Sequence, residues 1–460
     1  MTELRRALGI WSASAIVVGT VIGSGILLVP RTMIREVGTP EMVFLVWIAG
    51  GLLSLAGALT YAELAAALPE AGGEYVYLRE AYGPFFGFVY GWTQMWVAKS
   101  GSVATLATGF FLYLANFRPE LDAVLTTIPL PIGPGGNPLE IRTGQLLAMG
   151  VILFLGVANY FGVRVGGTLQ LVVTVLKVGL IFGVILVGLS ASQGASANFH
   201  TMIPAGGGWA GFFAALVAAL WAYDGWNNVS MVSSEIRNPQ RNLPRALIAG
   251  TALVMVIYLL ANAAYFWVLS AADVAASDRV PAEMMRRIYG VAGADAVSIF
   301  AMVSIFAALN GSLLSGSRVP YAMARDGLFF RAVARVHPAY QTPGVSILLL
   351  SVWSALLVLS GRYDDLFNLV IFASWILYGM ATASVIVLRR KRPDLARPYK
   401  TIGYPVVPVL FVLVALLLLV STLVKSPRES LLGLVLIFAG FPFYLYWRKQ
   451  YSGNTGSDLR

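Results

Sequence analysis

VVGTVIGSGI at residues 17–26 places three glycines, Gly19, Gly23 and Gly25, inside an apolar run. A glycine in a helix interior costs about 1 kcal/mol relative to alanine, so this run favours an interrupted helix. LWAYDGWNN at residues 220–228 places a carboxylate, a glycine and two amides inside a second apolar run. Ionisable groups within apolar spans are rare and usually face a cavity. The two stretches therefore indicate two broken helices that share a site.

The composition around these stretches excludes a soluble protein. Of 460 residues, 58% are hydrophobic and 12% are charged, against roughly 25% charged residues in soluble domains. The mean hydropathy of +0.76 likewise excludes disorder, collagen and a coiled coil. The chain has no cysteine and only two histidines, His200 and His337, which excludes a disulfide scaffold or a cysteine nucleophile and leaves little room for a metal site. We expect no metal and no cofactor.

Long apolar runs separated by short polar gaps predict an all-α integral membrane protein with about 12 transmembrane helices. A bilayer core of ~30 Å requires about 20 apolar residues in each helix. The first run is too long for the apolar part of a typical signal peptide, and no small-residue cleavage site is evident. The predicted spans are 9–34, 42–68, 85–116, 144–161, 167–190, 209–233, 245–270, 288–317, 344–360, 366–388, 404–424 and 430–447.

The positively charged loops predict which way the spans face. With twelve spans, both chain ends lie on the same side, and the loops on that side carry the excess of lysine and arginine. Such loops remain in the cytoplasm, so both termini are expected to be cytoplasmic. The run Arg389–Arg392 is the strongest marker, and we interpret it as a topology signal and not as a ligand site. The net charge of +10 therefore reflects orientation and not a nucleic-acid partner.

The two breaks suit a ligand that carries two opposite charges. Unwinding would free the backbone N–H groups of Gly23, Ser24 and Gly25 at the start of a half-helix, whose positive end attracts a carboxylate. Carbonyls freed near Ala222 and Tyr223 would accept hydrogen bonds from an ammonium group. Breaks in the first helix of two equivalent halves, spans 1–5 and 6–10, are typical of transporters. The alternative interpretation of the glycines is tight packing between helices.

Several stretches resemble the amino acid–polyamine–organocation (APC) superfamily, and its L-type amino acid transporter (LAT) branch in particular. They are GTVIGSGI at 19–26, YAEL at 61–64, GGEY at 72–75, AYDGWN at 222–227, SEIRNPQRNLP at 234–244, NGS at 310–312 and Ser317-Arg318. The resemblance covers nearly the whole chain. The stretch at the second break and the loop after it are quite specific, whereas the glycines of the first break occur throughout the superfamily.

This resemblance implies a single membrane transporter domain over residues 1–460 with a LeuT-type fold. In such a fold, residues 9–190 and 209–388 form two inverted five-helix repeats with broken helices 1 and 6, and residues 404–447 form the peripheral spans 11 and 12. The resemblance further implies sodium-independent transport of amino acids, commonly by exchange, through alternating access. We expect a permease of the bacterial inner membrane whose substrates are neutral and, as an open alternative, also cationic L-amino acids.

The resemblance also assigns roles to residues of the two breaks. Gly23–Gly25 matches the carboxylate-binding break, and the backbone carbonyls of Ile22 and Tyr223 match acceptors for the substrate amino group. Trp221 matches an aromatic residue that closes over the substrate. Asn227 matches a polar residue of the second break that influences binding and gating.

Lys177 lies deep in predicted span 5. In similar transporters, a lysine of this span points its ammonium group toward the unwound part of span 1, where sodium-driven relatives hold an ion. A fixed ammonium would supply the charge of Na⁺ to the freed carbonyls. The alternative is a lysine that snorkels to the membrane surface, which its position about ten residues into the span disfavours. Because a buried lysine loses its proton readily, proton coupling stays open.

Asp224 departs from the pattern of many LAT members restricted to neutral substrates, which have glycine at this position. Two interpretations stay open. The carboxylate attracts the cationic side chain of a substrate, or it pairs internally with Lys99 or Lys177 and the pocket accepts neutral side chains. For Lys99 the sequence favours packing or a structural pair, and for Glu63 it favours a structural role or a gate hydrogen bond.

Eukaryotic LAT members carry a cysteine in the loop after span 3 that links a partner subunit. This chain has no cysteine, so we expect no disulfide-linked heavy chain. The main alternative function is a proton-coupled symporter of cationic amino acids or polyamines. A channel would need a repeated ring of polar pore residues, and an intramembrane hydrolase would need a nucleophile with its base or two aspartates within the membrane. The sequence favours neither.

Overall fold

Helices make up most of the protein in a computed structural model that describes residues 4–115, 117–129, 138–359, 363–425 and 427–455. Within these ranges the one sheet is a hairpin of β1 (Val124–Ile128) and β2 (Leu139–Arg142), in which Thr126 lies opposite Ile141. Residue 360 of predicted span 9 lies outside the described residues, as do residues 1–3 and 456–460 of the termini expected in the cytoplasm.

The first half of the chain contains one broken helix and one helix with a π-helical turn. The turn, Gln94–Ala98, joins the two helices that together form predicted span 85–116. The helices are α1 (Ile10–Val21), α2 (Gly25–Val37), α3 (Pro40–Ala67), α4 (Glu74–Tyr82), α5 (Pro84–Thr93), α6 (Lys99–Leu114), α7 (Thr143–Tyr160) and α8 (Val163–Leu189).

The second half begins with another broken helix. The helices are α9 (Gly208–Ala222), α10 (Asn228–Met231), α11 (Pro239–Val268), α12 (Ala271–Ala276), α13 (Val280–Gly316), α14 (Arg318–Arg325), α15 (Gly344–Val358), α16 (Tyr363–Lys391), α17 (Val406–Lys425), α18 (Pro427–Phe438) and α19 (Phe441–Thr455). The helix of predicted span 288–317 starts earlier, at Val280, and is kinked at Gly290, whose φ is 67°. Predicted span 430–447 lies within the apolar helical segment Ser430–Lys449, which a short turn at residues 439–440 divides between α18 and α19.

The helices are long and apolar enough for a multi-span membrane protein. In the described part of the chain, nine helical segments satisfy the length and composition of a membrane span, and two shorter apolar helices, Gly208–Ala222 and Gly344–Val358, accompany them. Helix α16 contains the predicted span 366–388. The all-α membrane class is therefore confirmed, whereas the number of about twelve crossings stays a prediction.

The broken helix α1 lies at the centre of the protein, where it packs against α8, α11 and α13. Helix α8 presents only one face to this centre. Its buried residues follow a spacing of three and four, which is the period of one helix face: Gly166, Gln170, Thr174, Lys177, Ile181, Ile185 and Gly188. The other faces of α8 carry exposed apolar side chains such as Val172, Val175 and Leu186. Lys177 is therefore in phase with the buried stripe and faces α1.

Candidate binding site at the two helix breaks

The first break lies where the glycines predict it. Helix α1 ends at Val21, Ile22 leaves the helical conformation with ψ of 85°, and α2 begins at Gly25. The first N–H groups of a helix have no partner within that helix, so the start of α2 offers donors and the positive end of the helix dipole. The predicted interruption of span 1 is confirmed.

The second break is a turn between α9, which ends at Ala222, and α10, which begins at Asn228. Gly225 has φ of 106°, a conformation that residues with a side chain rarely adopt. The hydroxyl group of Thr20 in α1 lies 2.8 Å from the carbonyl oxygen of Gly225. This hydroxyl also lies 2.6 Å from the carbonyl oxygen of Ile16 and has one hydrogen to donate, so the end of α1 and the turn of the second break lie within hydrogen-bond distance of each other.

The two breaks also touch directly. A Cβ atom added to Gly25 would lie 2.5 Å from Cα of Ala222 and 2.6 Å from its Cβ. Such distances are shorter than real contacts allow, and one of the colliding atoms belongs to the backbone. Glycine at position 25 is therefore required by the close approach of α2 to the end of α9.

Tyr258 of α11 binds the freed carbonyls of both breaks. Its hydroxyl oxygen lies 2.9 Å from the carbonyl oxygen of Val21 and 2.8 Å from that of Ala222. A phenol has one hydrogen to donate, so it cannot satisfy both carbonyls at the same time. The Ala222 carbonyl consequently retains acceptor capacity for another donor, whereas the Val21 carbonyl also accepts the backbone N–H of Gly23 over 2.8 Å. Tyr258 could not be predicted from the sequence, because no sequence signal distinguishes it from the other tyrosines in apolar helices.

Lys177 is completely buried and binds the backbone of the first break. Its ammonium group donates hydrogen bonds to the carbonyls of Gly19 (2.6 Å), Ile22 (2.5 Å) and Ser304 (3.3 Å). The Ile22 carbonyl also accepts a hydrogen bond from the hydroxyl of Ser304 over 3.0 Å. The expected direction of the Lys177 side chain is what the structure shows, and snorkelling is excluded.

This arrangement changes the expectation for Ile22. A carbonyl oxygen has two lone pairs, and Lys177 and Ser304 occupy both of them in this conformation. The Ile22 carbonyl is therefore saturated, and the less satisfied carbonyl next to the breaks is that of Ala222. A role of Ile22 as acceptor for a substrate amine would require that Lys177 or Ser304 moves.

A cavity lies between the two breaks and α6. Five predicted site residues line it, namely Gly23, Ser24, Gly25, Trp221 and Asp224. The other lining residues are Thr20, Val21, Ser102, Leu106, Gly225, Asn228 and Ser312. Ser102, Asn228 and Ser312 were not predicted, since short polar side chains at helical positions carry no distinctive sequence signal.

Two predicted residues lie beside the cavity without lining it. The hydroxyl of Tyr223 donates to the carbonyl of Trp47 over 3.1 Å, and its ring packs edge-on against Trp47. The amide of Asn227 donates a hydrogen bond to the carboxylate of Glu74. Both side chains therefore support the turn of the second break. In this conformation neither side chain points into the cavity where it could contact a ligand.

Asp224 contacts a tyrosine and not a lysine. Its Oδ1 atom accepts a hydrogen bond of 2.8 Å from the hydroxyl of Tyr378 in α16. Among the described residues it forms no ion pair with Lys99 or Lys177, and its internal partner is the hydroxyl of Tyr378, so both interpretations of Asp224 stay predictions. A carboxylate has more acceptor sites than one hydroxyl can use, and Asp224 lines the cavity.

Glu74 adds a buried carboxylate that sequence analysis did not place in the site. It is 0% exposed and accepts hydrogen bonds from Asn227 and from the hydroxyl of Ser230, the latter over 3.4 Å. The hydroxyls of Tyr61 and Tyr77 lie close enough to interact with it electrostatically. The signal was present in the GGEY stretch, but a glycine pair next to a charge is typical of a loop, and the burial became visible only in the fold.

Glu63, by contrast, belongs to a structural cluster away from the cavity. Its carboxylate binds Arg389 through two hydrogen bonds of 2.9 and 2.7 Å. The backbone N–H of Thr401 donates to the same carboxylate over 2.7 Å. The ion pair ties the end of α3 to the end of α16, and the Thr401 hydrogen bond ties it to the loop that follows, in agreement with the structural role expected for Glu63.

Ion pairs tie together the segments predicted to be cytoplasmic. Arg318 and Glu235 are both completely buried and form hydrogen bonds of 2.7 and 3.0 Å. Arg79 pairs with Asp326 over 2.7 Å. The segment around Leu8 lies parallel to residue 236 and exchanges backbone hydrogen bonds with that loop. In this conformation the predicted cytoplasmic end is therefore held closed.

Comparisons with known proteins agree with this arrangement. The sequence signature of the family described as "Amino acid permease" matches residues 8–443. The b(0,+)-type amino acid transporter 1 of Mus musculus is 32% identical over 447 residues, which cover 96% of this chain and 88% of that protein. The serine/threonine exchanger SteT of Bacillus subtilis is 31% identical over 450 residues, 97% of this chain and 98% of that protein. The cystine/glutamate transporter of Homo sapiens is 28% identical over 462 residues, 97% and 87% respectively.

Proposed function

This chain belongs to the amino acid permease family, and from that premise we propose that it is a sodium-independent amino acid exchanger that works by alternating access. The family and the relatives are transporters and not enzymes, and two of the three relatives described are 31% to 32% identical over almost the whole chain. The observation that carries the proposal is the cavity between the two breaks, which is lined by Gly23, Ser24 and Gly25 on one side and by Trp221 and Asp224 on the other.

The cavity offers complementary ends to a zwitterion. A substrate carboxylate would accept hydrogen bonds from the first N–H groups of α2, where the helix dipole is positive. The substrate ammonium would donate to the carbonyl of Ala222, which shares one hydroxyl hydrogen of Tyr258 with the carbonyl of Val21. The carbonyl of Tyr223 lies in the same turn and is the further acceptor that the family resemblance suggests. Binding would thus satisfy donors and acceptors that the breaks leave incomplete.

Lys177 accounts for independence from sodium. Its ammonium group already supplies a positive charge to the carbonyls of Gly19 and Ile22 at the first break. A sodium ion would need the same carbonyl oxygens as ligands. We therefore assign Lys177 as the fixed substitute for the ion, which keeps the first break ordered in the absence of Na⁺.

Alternating access follows from the arrangement that the family suggests. Residues 9–190 and 209–388 would form two inverted repeats, with residues 404–447 as peripheral spans. The closure by Arg318 and Glu235 supports a conformation that is shut toward the cytoplasm. We propose that both termini lie in the cytoplasm on the basis of the positive loops, and that the protein is a permease of a bacterial inner membrane on the basis of the family resemblance and the absence of cysteine. Trp221 is 7% exposed and would close over the substrate from the end of α9.

Asp224 supports an extension of the substrate range from neutral to cationic amino acids. It lines the cavity and, among the described residues, no lysine or arginine neutralises it by an ion pair. A substrate ammonium or guanidinium group would pair with this carboxylate in a site with little water, where the attraction is strong. The b(0,+)-type relatives and the serine/threonine exchanger together define amino acid transport as the shared activity. We expect arginine and lysine to compete with leucine.

We further propose that the exchanger works without a disulfide-linked partner subunit. The 460-residue sequence contains no cysteine, so a covalent link through a disulfide has no residue to form it. Oxidised and reduced samples should therefore migrate identically on denaturing gels and should have the same transport activity.

The test of the proposed function is transport by purified protein in liposomes. Labelled leucine should enter vesicles loaded with unlabelled amino acid, with or without Na⁺, and should not enter empty vesicles. Uptake into empty vesicles driven by an inward proton gradient would establish the proton-coupled symporter instead. A current without labelled uptake would establish a channel.

A further inference from the structure

Lys99 fixes the orientation of an amide in the cavity wall. Its ammonium group donates a hydrogen bond of 2.6 Å to Oδ1 of Asn228, and both side chains are buried, with 4% and 1% exposed. An ammonium group has donors only, so the amide must present its oxygen to Lys99 and turn its NH₂ group away. Asn228 also lines the cavity. Within the part of the chain that the structure describes, its NH₂ group is paired with no acceptor.

The surrounding helices are shaped to hold this lysine. A Cβ atom added to Gly316 at the end of α13 would lie 2.3 Å from Cγ of Lys99 and 2.9 Å from its Cδ. Glycine at position 316 therefore makes room for the lysine stem. Asp224 and Glu74 interact with the ammonium group electrostatically, but among the described residues neither is close enough for an ion pair. The direct partner of this buried cation is thus an amide and not a carboxylate.

The cavity wall consequently offers a donor beside an acceptor. Asn228 contributes N–H donors, and Asp224 contributes carboxylate acceptor sites that the hydroxyl of Tyr378 does not fill. Asp224 and Asn228 are four residues apart in the turn and lie on the same cavity. A carboxamide carries an acceptor oxygen and an NH₂ donor on one planar group, so it can use both. A guanidinium group has donors only and can use Asp224 alone, and an aliphatic side chain can use neither.

We infer, building on the proposed amino acid exchange, that Lys99 is a positioning residue that orients Asn228 for the recognition of carboxamide side chains such as that of glutamine. Asn228 is the residue that would contact the substrate, and Lys99 acts only through it. The inference assigns a different determinant to each substrate class. Glutamine depends on Asn228 and Asp224, arginine depends on Asp224, and leucine depends on neither.

The test compares exchange of glutamine, arginine and leucine by variants in loaded liposomes. Asn228→Leu keeps the shape of the side chain and removes its donors, so the KM for glutamine should rise roughly threefold to tenfold, the loss expected for one hydrogen bond. The KM for leucine should rise by a smaller factor, so the readout is the ratio of the KM for glutamine to the KM for leucine. Lys99→Met should have the same effect on glutamine without weakening arginine, since it removes a positive charge near Asp224. Lys99→Arg should restore the preference, and Lys400→Met at an exposed position is the matched control.

The unmodified protein provides a second arm that does not depend on the folding of any variant. Glutamine and the γ-methyl ester of glutamic acid, which both carry an acceptor oxygen, should inhibit leucine exchange at lower concentration than norleucine. Norleucine that inhibits as well as glutamine would overturn the inference. So would Asn228→Leu or Lys99→Met if it lowers transport of all three substrates by the same factor, which is the result expected of a purely structural pair. If leucine itself is not exchanged, the proposed function fails and not this inference alone.

Discussion

The two helix breaks are built in different ways. The first break is built from backbone groups. These are its glycines, the first N–H groups of α2, and the carbonyls of Gly19 and Ile22 that Lys177 binds. The second break is formed by polar side chains, among which Asp224 contacts Tyr378 and Asn228 contacts Lys99. Backbone groups recognise what all amino acids share, whereas side chains distinguish one substrate from another. Changes at the first break should therefore affect every substrate, and changes at the second break should affect selectivity.

Gly25→Leu is the strongest way to test the first break. The new side chain would collide with the backbone of Ala222, because a Cβ atom at this position already lies 2.5 Å from Cα of Ala222. We expect complete loss of exchange for leucine, glutamine and arginine alike. The measurement is labelled uptake into loaded liposomes at equal protein content.

Gly179→Leu is the matched control for this change. It introduces the same side chain within the membrane, at a lipid-facing position of α8 where a Cβ would meet nothing within 4 Å. It should leave exchange unaltered. Retained amino acid exchange by Gly25→Leu would remove the first break from the binding site.

Lys177→Met should have the next largest effect. It keeps the length of the side chain and removes the ammonium group that binds the carbonyls of Gly19 and Ile22. The Gly19 carbonyl loses its ammonium partner at a cost of about 1–3 kcal/mol, whereas the Ile22 carbonyl keeps the hydroxyl of Ser304, so exchange of all substrates should fall by up to about two orders of magnitude. The measurement is the exchange rate of leucine and arginine at limiting and at saturating substrate concentration. This comparison separates an effect on binding from an effect on turnover.

Lys400→Met serves as the control, because Lys400 is exposed. Addition of Na⁺ to the transport assay tests the ion-substitute role directly. If Lys177 substitutes for an ion, Na⁺ should give partial recovery in the methionine variant and none in the unmodified protein. Normal turnover of the variant would contradict the substitute role.

Asp224→Asn should separate the second break from the first. The change keeps the shape of the side chain and removes its charge, so an arginine guanidinium loses a charge-assisted hydrogen bond in a site with little water. Such bonds contribute about 1.5–3 kcal/mol, which corresponds to a rise of roughly 10- to 100-fold in the KM for arginine. Leucine exchange should change by less than about twofold. An equal effect on both substrates would assign Asp224 to the structure of the turn.

Asp394→Asn is the control for loss of an acidic charge, since the side chain of Asp394 is 76% exposed. It should leave the ratio of arginine to leucine transport unaltered. A change in this ratio would indicate that surface charge, and not the cavity, sets the preference.

Tyr258→Phe should have the smallest effect, and it acts on both breaks at the same time. It removes one hydroxyl group that lies 2.9 Å from the Val21 carbonyl and 2.8 Å from the Ala222 carbonyl. We expect a loss of roughly threefold to tenfold in exchange for every substrate, the effect of one hydrogen bond. The matched control is Tyr289→Phe, at a tyrosine that is 62% exposed. A change in selectivity without a change in leucine exchange would place Tyr258 in the side-chain pocket.

The sequence predicted the first break better than the second. Glycines in an apolar run have a direct physical consequence for a helix, so the interruption between Val21 and Gly25 could be located before the fold was known. Lys177 could be predicted for a similar reason, because a charge deep in an apolar span must find a partner. The partners themselves, such as Ser304 and Tyr258, depend on how helices pack, and one sequence does not contain that information.

The polar contacts of the second break could not be predicted for a further reason. Lys99, Lys177 and Tyr378 are separated from Asp224 by long stretches of chain, and several pairings satisfy the same charge. In the structure, Asp224 binds Tyr378 and Lys99 binds Asn228. Glu74 was hidden because its glycine-rich surroundings are typical of a surface loop, although its carboxylate is 0% exposed.

The most direct test of the central claim is the position of a bound amino acid in an experimental structure of the protein with leucine. We expect the carboxylate on the first N–H groups of α2, the ammonium at the carbonyl of Ala222, and the side chain toward Ser102 and Leu106. Lys177 should keep its bonds to the carbonyls of Gly19 and Ile22 while leucine is bound. An amino acid held elsewhere, or a ligand that displaces Lys177 from the first break, would contradict the account.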